Sequence, residues 1–439
     1  MFKSLRRTYW VVQEFSRRHH KVDTRTITAV IALSLLVAVF IRYIPTPRKH
    51  LRIGLVGKFT QESLPLEIRS LISAGLVTIN SEGDPEPALA SDWKIEEDGK
   101  RYIFALDSSL RWHGGAKIIG EDLAYNFHDV EVTTTDDSIT FDLQDPFAPF
   151  FHAVARPVMK DGELGVGEYT LAKTNVYSGI LQSVVLVSET TKRTYKFYPT
   201  ENSAITAFQL GEVDLLTGLS YIPDSLSSDP AITIENNTLD SKIAVIFLNN
   251  NDNTLLGKPT RQALAYAVED KTFDHDRATS PISEDSWAYN PLVKKYEFDL
   301  ERAQSLLKQD FPEPSEVVIE LKTMLQYLDQ AEAIADNWRN NLGIQVDVKV
   351  VTSITSDYQA FLADYAPPKD PDQYTVWHST QATNFTHFNN LKVDKLLEDG
   401  RRILDKKLRK EIYQDFQRFL LEDSPAIFLF HTTSYDISH

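Results

Sequence analysis

Residues 26–44, TITAVIALSLLVAVFIRYI, form an apolar run whose one charge, Arg42, stands near its end. At about 1.5 Å per residue such a helix is roughly 28 Å long, the thickness of a hydrocarbon core, which predicts a membrane span. The flank RYIPTPRKH offers no small-residue cleavage site, so the span reads as an uncleaved signal anchor. Lys3, Arg6, Arg7, Arg17, Arg18, Lys21 and Arg25 precede it against Glu14 and Asp23, which predicts a cytoplasmic N-terminus and an exported remainder. The chain then divides into a basic tail at 1–25, an anchor at 26–44 and a short tether at 45–50.

Beyond the tether the pattern changes to short alternating and helical segments. LRIGLVG at 51–57 reads as a strand. Residues 93–106 read as a hairpin turning at Asp98-Gly99, with Tyr102, Phe104 and Leu106 on one face. A Gly114-Gly115 turn follows, and the segment from Glu121 is expected to open a helix. Residues 202–219 read as a helix ended by Gly211, then a buried strand. EVVIELKTM at 316–324 predicts a strand, and Ala331, Ile334, Ala335, Trp338 and Leu342 give the i, i+3, i+4, i+7 stripe of a helix that Gly343 ends. IQVDVKVV at 344–351 completes a βαβ unit, so part of the sheet is parallel. Near the end, Asp405 is placed to cap a helix buried through Leu408, Ile412, Phe416 and Leu420, and AIFLF at 426–430 reads as a buried strand.

Composition narrows the chemistry. A chain of 439 residues is long enough for several cores. It holds no cysteine, which excludes disulfides, thiolate metal sites and cysteine nucleophiles. Residues 1–45 carry eight basic and two acidic groups, leaving 38 basic against 60 acidic, a net −22, on the rest. Such a domain repels nucleic acid. There is no Gly-x-Ser-x-Gly elbow, no His-Glu-x-x-His and no phosphate loop; GLVGK at 54–58 has the wrong spacing and HGGA at 113–116 stands without a serine elbow. His378 with His387, and Asp274-His275-Asp276, lack the spacing of a metal site. No catalytic residue, metal or cofactor is expected, and the class that remains is an exported receptor.

The stretch from Ala90 to Asp122 carries Ala90, Trp93, Asp98-Gly99, Trp112-His113, Gly115 and Glu121-Asp122 in order. AITAFQLGEVDLLTGL, FLNNNDNTLLGKPTRQALAYAVED, YEFDLERAQSLLK, NNLGIQVDV and FNNLKVDKLLEDGRR follow. In this order the segments resemble the family 5 extracellular solute-binding proteins of bacterial ABC importers, the oligopeptide- and dipeptide-binding group, over residues 51–430. Two departures stand out: a membrane helix in place of a cleaved signal or lipid anchor, and GVGEY at 165–169 without the usual proline.

The resemblance implies an α/β clamshell of the type II periplasmic-binding-protein kind with an extra third domain, preceded by one N-terminal transmembrane helix. Lobe I would comprise 51–80, 165–240 and 425–439, with a small subdomain at 81–164 attached to it, and lobe II 241–424. It implies a monomer that captures a peptide between lobes and delivers it to membrane-embedded permease subunits. The same fold could bind an oligosaccharide, a cationic metabolite or a metal chelate, or serve as a non-transport receptor or assembly factor. Asp364 matches the position that pairs with a peptide ammonium, with Asp370 and Asp372 as rivals. Trp377 and Tyr365 are candidate aromatic walls, Asn249 and Asn250 candidate partners of a peptide main chain, and Trp112 either core or cleft rim.

Overall fold

The computed structural model of the chain describes residues 10, 14, 32–34, 48–353 and 357–439, with the backbone alone at 238–241. Residues 1–49 and 189–191 form one unit, and 50–188 with 192–439 another. In the first, residues 10, 14 and 32–34 are helical. The anchor expected at 26–44 otherwise lies outside the described residues, and no helix among those described is long and apolar enough to cross a membrane.

Sixteen strands are described. They are β1 (Lys49–Val56), β2 (Val77–Ile79), β3 (Pro85–Pro87), β4 (Ala90–Glu96), β5 (Arg101–Leu106), β6 (Val130–Thr134), β7 (Ser138–Leu143) and β8 (Thr170–Tyr177). They continue with β9 (Ile180–Val187), β10 (Thr191–Tyr198), β11 (Leu215–Leu219), β12 (Thr233–Leu248), β13 (Val318–Met324), β14 (Gln345–Val351), β15 (Ala360–Tyr365) and β16 (Ala426–Ser438). Ten form one mixed sheet in the order β14, β13, β15, β12, β16, β11, β1, β10, β9, β8. A four-stranded sheet, β4-β5-β7-β6, and the β2-β3 ribbon stand apart.

The expected βαβ unit is present. β13 and β14 pair in parallel, joined by the helix Leu328–Leu342, whose stripe Ala331, Ile334, Ala335, Trp338 and Leu342 is buried. Gly343 ends it at φ 70°, a left-handed conformation that glycine adopts without steric cost. β4 and β5 form the expected hairpin, and Tyr102, Phe104 and Leu106 lie in its core. At its far side Gly165 and Gly167 press on the helix Leu66–Ile72; a Cβ on Gly165 would stand 1.9 Å from the Ile72 carbonyl oxygen.

Two expectations are corrected. From Glu121 there is only a single 3-10 turn, Gly120–Asp122, because Leu123, Tyr125 and Phe127 pack with a period of two, with Tyr125 and Phe127 stacked at 5.8 Å. Asp405 does cap the helix Lys406–Asp423, accepting from the Leu408 amide, but Leu408 itself is half exposed and the buried face starts at Arg409.

Five apolar clusters fill the second unit: two on residues 243–430, one on 76–158, one on 53–197 and one on 204–437. β12 and β16 run through three of them, the two on 243–430 and the one on 204–437. They pair along most of their lengths, with register shifts between Leu239 and Ile243 and between Ala244 and Val245.

Burial pulls the Lys271 ammonium down to about 7, with the charge of Arg277 adding to the effect; its Nζ donates to the Val268 carbonyl at 2.6 Å. The folded pKa lies below the unfolded one, so between pH 7 and about 10 the unfolded chain binds more protons and stability rises with pH. Urea midpoints are expected to be higher at pH 9 than at pH 7, and Lys271→Met is expected to remove that difference.

Candidate functional site

β15 runs antiparallel to β12, placing Phe361 beside Phe247 and Tyr365 beside Ile243. On its other side the parallel pairing with β13 ends at Thr323 and Leu362. Past that point β15 is open, and Asp364 is exposed there. The turn after β13 brings two donors to it. The Tyr327 hydroxyl donates to Asp364 Oδ1, and Gln326 Nε2 donates to Oδ2 at 3.3 Å. Burial and the neighbouring Asp364 carboxylate raise the Tyr327 phenol, so it stays a donor.

Asp364 borders a cavity of about 260 Å³. Its other walls are Phe247, Tyr358, Phe361, Tyr365, Val376 and Phe385, with Ala366, Thr375 and Thr383. The alternation of β12 and β15 supplies Phe247, Phe361 and Tyr365, and the segment 374–388 folds over them. The Tyr358 hydroxyl fixes the outer wall by donating to the Phe385 carbonyl at 2.6 Å. One carboxylate at the mouth of an aromatic-walled space suits a ligand with a cationic group next to an apolar one.

The remaining sequence candidates fall elsewhere. Asp370 is buried, its Oδ1 accepting from Arg409 Nη2 at 2.8 Å and from the Asp372 amide at 2.9 Å. His152 Nδ1 lies 3.5 Å from its other oxygen. Asp372 accepts from Arg401 Nε at 2.9 Å and from the Tyr374 amide at 3.1 Å. Burial raises its carboxyl above the ordinary range, against the pull of Arg401. Trp377 is fully buried behind Tyr365, and both donate to Gln373 Oε1 at 2.8 Å.

Asn249 donates to the Tyr358 carbonyl at 2.8 Å, and Asn250 to those of Leu248 and Thr386 at 2.8 and 3.0 Å. Both amides hold the main chain that carries the cavity wall. Trp112 is buried in the 76–158 cluster, donating to Asp122 Oδ2 at 2.8 Å. The cavity therefore unites Asp364 and Tyr365 alone of the sequence candidates. Sequence reasoning missed Phe247, Tyr358, Phe361, Val376 and Phe385; the alternation in IAVIFL and AFLADY was the signal for two of them.

Residues 190–387 match the family described as bacterial extracellular solute-binding proteins, family 5 middle. Over that stretch the chain is similar to family 5. The kinship read from its motifs is thus borne out, and it extends beyond the matched region. The probable D,D-dipeptide-binding periplasmic protein DdpA of Escherichia coli is 21% identical over 422 residues, 81% of this chain and 82% of its own. NikZ from Campylobacter jejuni, solved with Ni(L-His), superposes at TM-score 0.74 and 21% identity over 90% of this chain and 94% of its own. The oligopeptide-binding protein AppA from Bacillus subtilis, solved with a nonapeptide, gives 0.67 and 19% over 90% and 95%. These likenesses establish for this chain the mixed α/β fold of those solved binding proteins.

Proposed function

We propose that this chain is the extracytoplasmic binding component of an ABC importer, tethered to the membrane through residues 26–44, which captures peptides between two lobes and passes them to permease subunits. It releases its guest chemically unchanged. The observation that carries the reading is Asp364, exposed at the open end of β15, oriented by Tyr327 and Gln326 and facing an aromatic-walled cavity. A carboxylate so held gives a peptide's α-ammonium a charge-assisted bond, and peptides lacking the charge lose it. The separate apolar clusters on 243–430 and on 204–437, bridged by β12 and β16, support two lobes with the hinge at the register shifts. Ligand would favour the closed form through its differential contacts there.

Calorimetry of the detergent-solubilised full chain tests this. Tripeptides with a free amine and an apolar first residue are expected to bind, and their N-acetylated forms to bind at least tenfold more weakly. Equal binding of both sets would remove the ammonium anchor. Binding of Ni(L-His) or an oligosaccharide, with no peptide bound, would keep the fold and change the cargo.

A further inference from the structure

A second cavity, about 620 Å³, opens where the 81–164 module meets the helix Leu391–Arg402. Its module side is lined by Phe127, Phe147, Phe150 and Ala153, and its helix side by Tyr374, Glu398 and Arg401. It is separate from the Asp364 cavity: Tyr374 borders this one, whereas Thr375 and Val376 border the other.

Arg401 decides its chemistry. Nε donates to Asp372 at 2.9 Å, and the guanidinium stacks over Tyr374 at 4.3 Å with Phe147 at 5.1 Å. Neither terminal nitrogen donates to any described residue. Other half-buried or buried arginines differ. Arg261, for example, spends both terminal nitrogens on the carbonyls of Leu255, Leu256 and Asp423. Arg401 is thus a guanidinium fixed on three sides with its two-pronged edge unused, the geometry that receives a carboxylate through two parallel bonds.

The rest of the wall refines the guest. Three phenylalanine rings offer an apolar floor. Of the acids lining the cavity, Asp145 is taken by Arg402 at 3.0 Å and Glu398 Oε1 lies 3.5 Å from His378 Nε2, while Asp129 and Glu398 both face solvent. They repel a dianion and favour a guest that also carries a positive group. We propose that this cavity is a second binding site, for the free carboxylate of an α-amino acid with a large apolar side chain, with Arg401 as the carboxylate receptor.

Isothermal titration of the full chain with L-phenylalanine, L-phenylalaninamide and hydrocinnamate tests the site. L-Phenylalanine is expected to bind, hydrocinnamate more weakly, and the amide at least tenfold more weakly. Arg401→Gln is expected to weaken L-phenylalanine at least tenfold and, because it takes the counter-charge from the largely buried Asp372 carboxylate, to lower the melting midpoint as well. Ala153→Phe, which fills the cavity from the opposite wall, serves as the second variant and is expected to abolish binding. Asp364→Asn is expected to leave this binding intact, which separates it from the peptide anchor. No binding of L-phenylalanine, equal binding of the amide, retention in Ala153→Phe, or loss in Asp364→Asn would each overturn the proposal.

Discussion

Asp364→Ala is expected to weaken capture of free-amine peptides by more than tenfold, or more than about 1.4 kcal/mol. The carboxylate would be the negative partner of the α-ammonium in the proposed site, and its orientation is fixed by Tyr327 and Gln326. Alanine removes the charge and also strips the buried Tyr327 hydroxyl of its acceptor, so part of the loss could come from rearrangement of the turn. Asp364→Asn separates the two effects, because its carbonyl still accepts from Tyr327. Calorimetry with a free-amine tripeptide and its N-acetylated form is expected to give the same tenfold loss for the first in both variants and no change for the second. If both variants bind the free-amine peptide as the unmodified chain does, the anchor lies elsewhere.

Asp370→Ala is expected to have a different outcome, a loss of about 3–5 kcal/mol in stability. Asp370 and Arg409 are both buried, and Arg409 also donates from Nε to the Gly400 carbonyl at 2.9 Å. Burial opposes the charge of Arg409, yet Asp370 and Tyr413 hold its pKa above the ordinary value. Removing the carboxylate leaves a guanidinium in a dry interior with no counter-charge. The pair also lies where His152 of the 81–164 module reaches the helix Lys406–Asp423, so the damage includes that contact. Urea unfolding followed by tryptophan fluorescence is expected to show the loss. The double replacement Asp370→Leu with Arg409→Met, which removes both charges, is expected to recover much of it. A single replacement costing under 1 kcal/mol would mean that water reaches the guanidinium.

These two aspartates show how far the sequence carries. Motif order placed both in one segment, and nothing in the letters distinguishes a carboxylate left open at the end of a strand pairing from one buried on an arginine thirty-nine residues away. The elements themselves were legible wherever one face is uniformly apolar, as in Tyr102, Phe104 and Leu106 or the Ala331–Leu342 stripe. They were misread where polar residues take core positions. The helix Lys406–Asp423 buries Arg409 and Gln417, each satisfied by distant partners, so hydropathy pointed to Leu408 instead. The aromatic walls were hidden for a related reason. Phe247 and Phe361 alternate inward like any core residue, and only the folded loop that carries Phe385 shows that they face a space.

The placement of β16 has a consequence for biogenesis. It is the last of the sixteen strands along the chain, yet it lies fifth from one end of the ten-stranded sheet, between β12 and β11. A ribosome delivering the chain in order leaves both neighbours without their shared ladder until residues 426–438 emerge, so the sheet is completed only by long-range pairing once that segment is free. Until then each stump presents an open edge, the kind of surface that recruits a chaperone or a second unfinished copy.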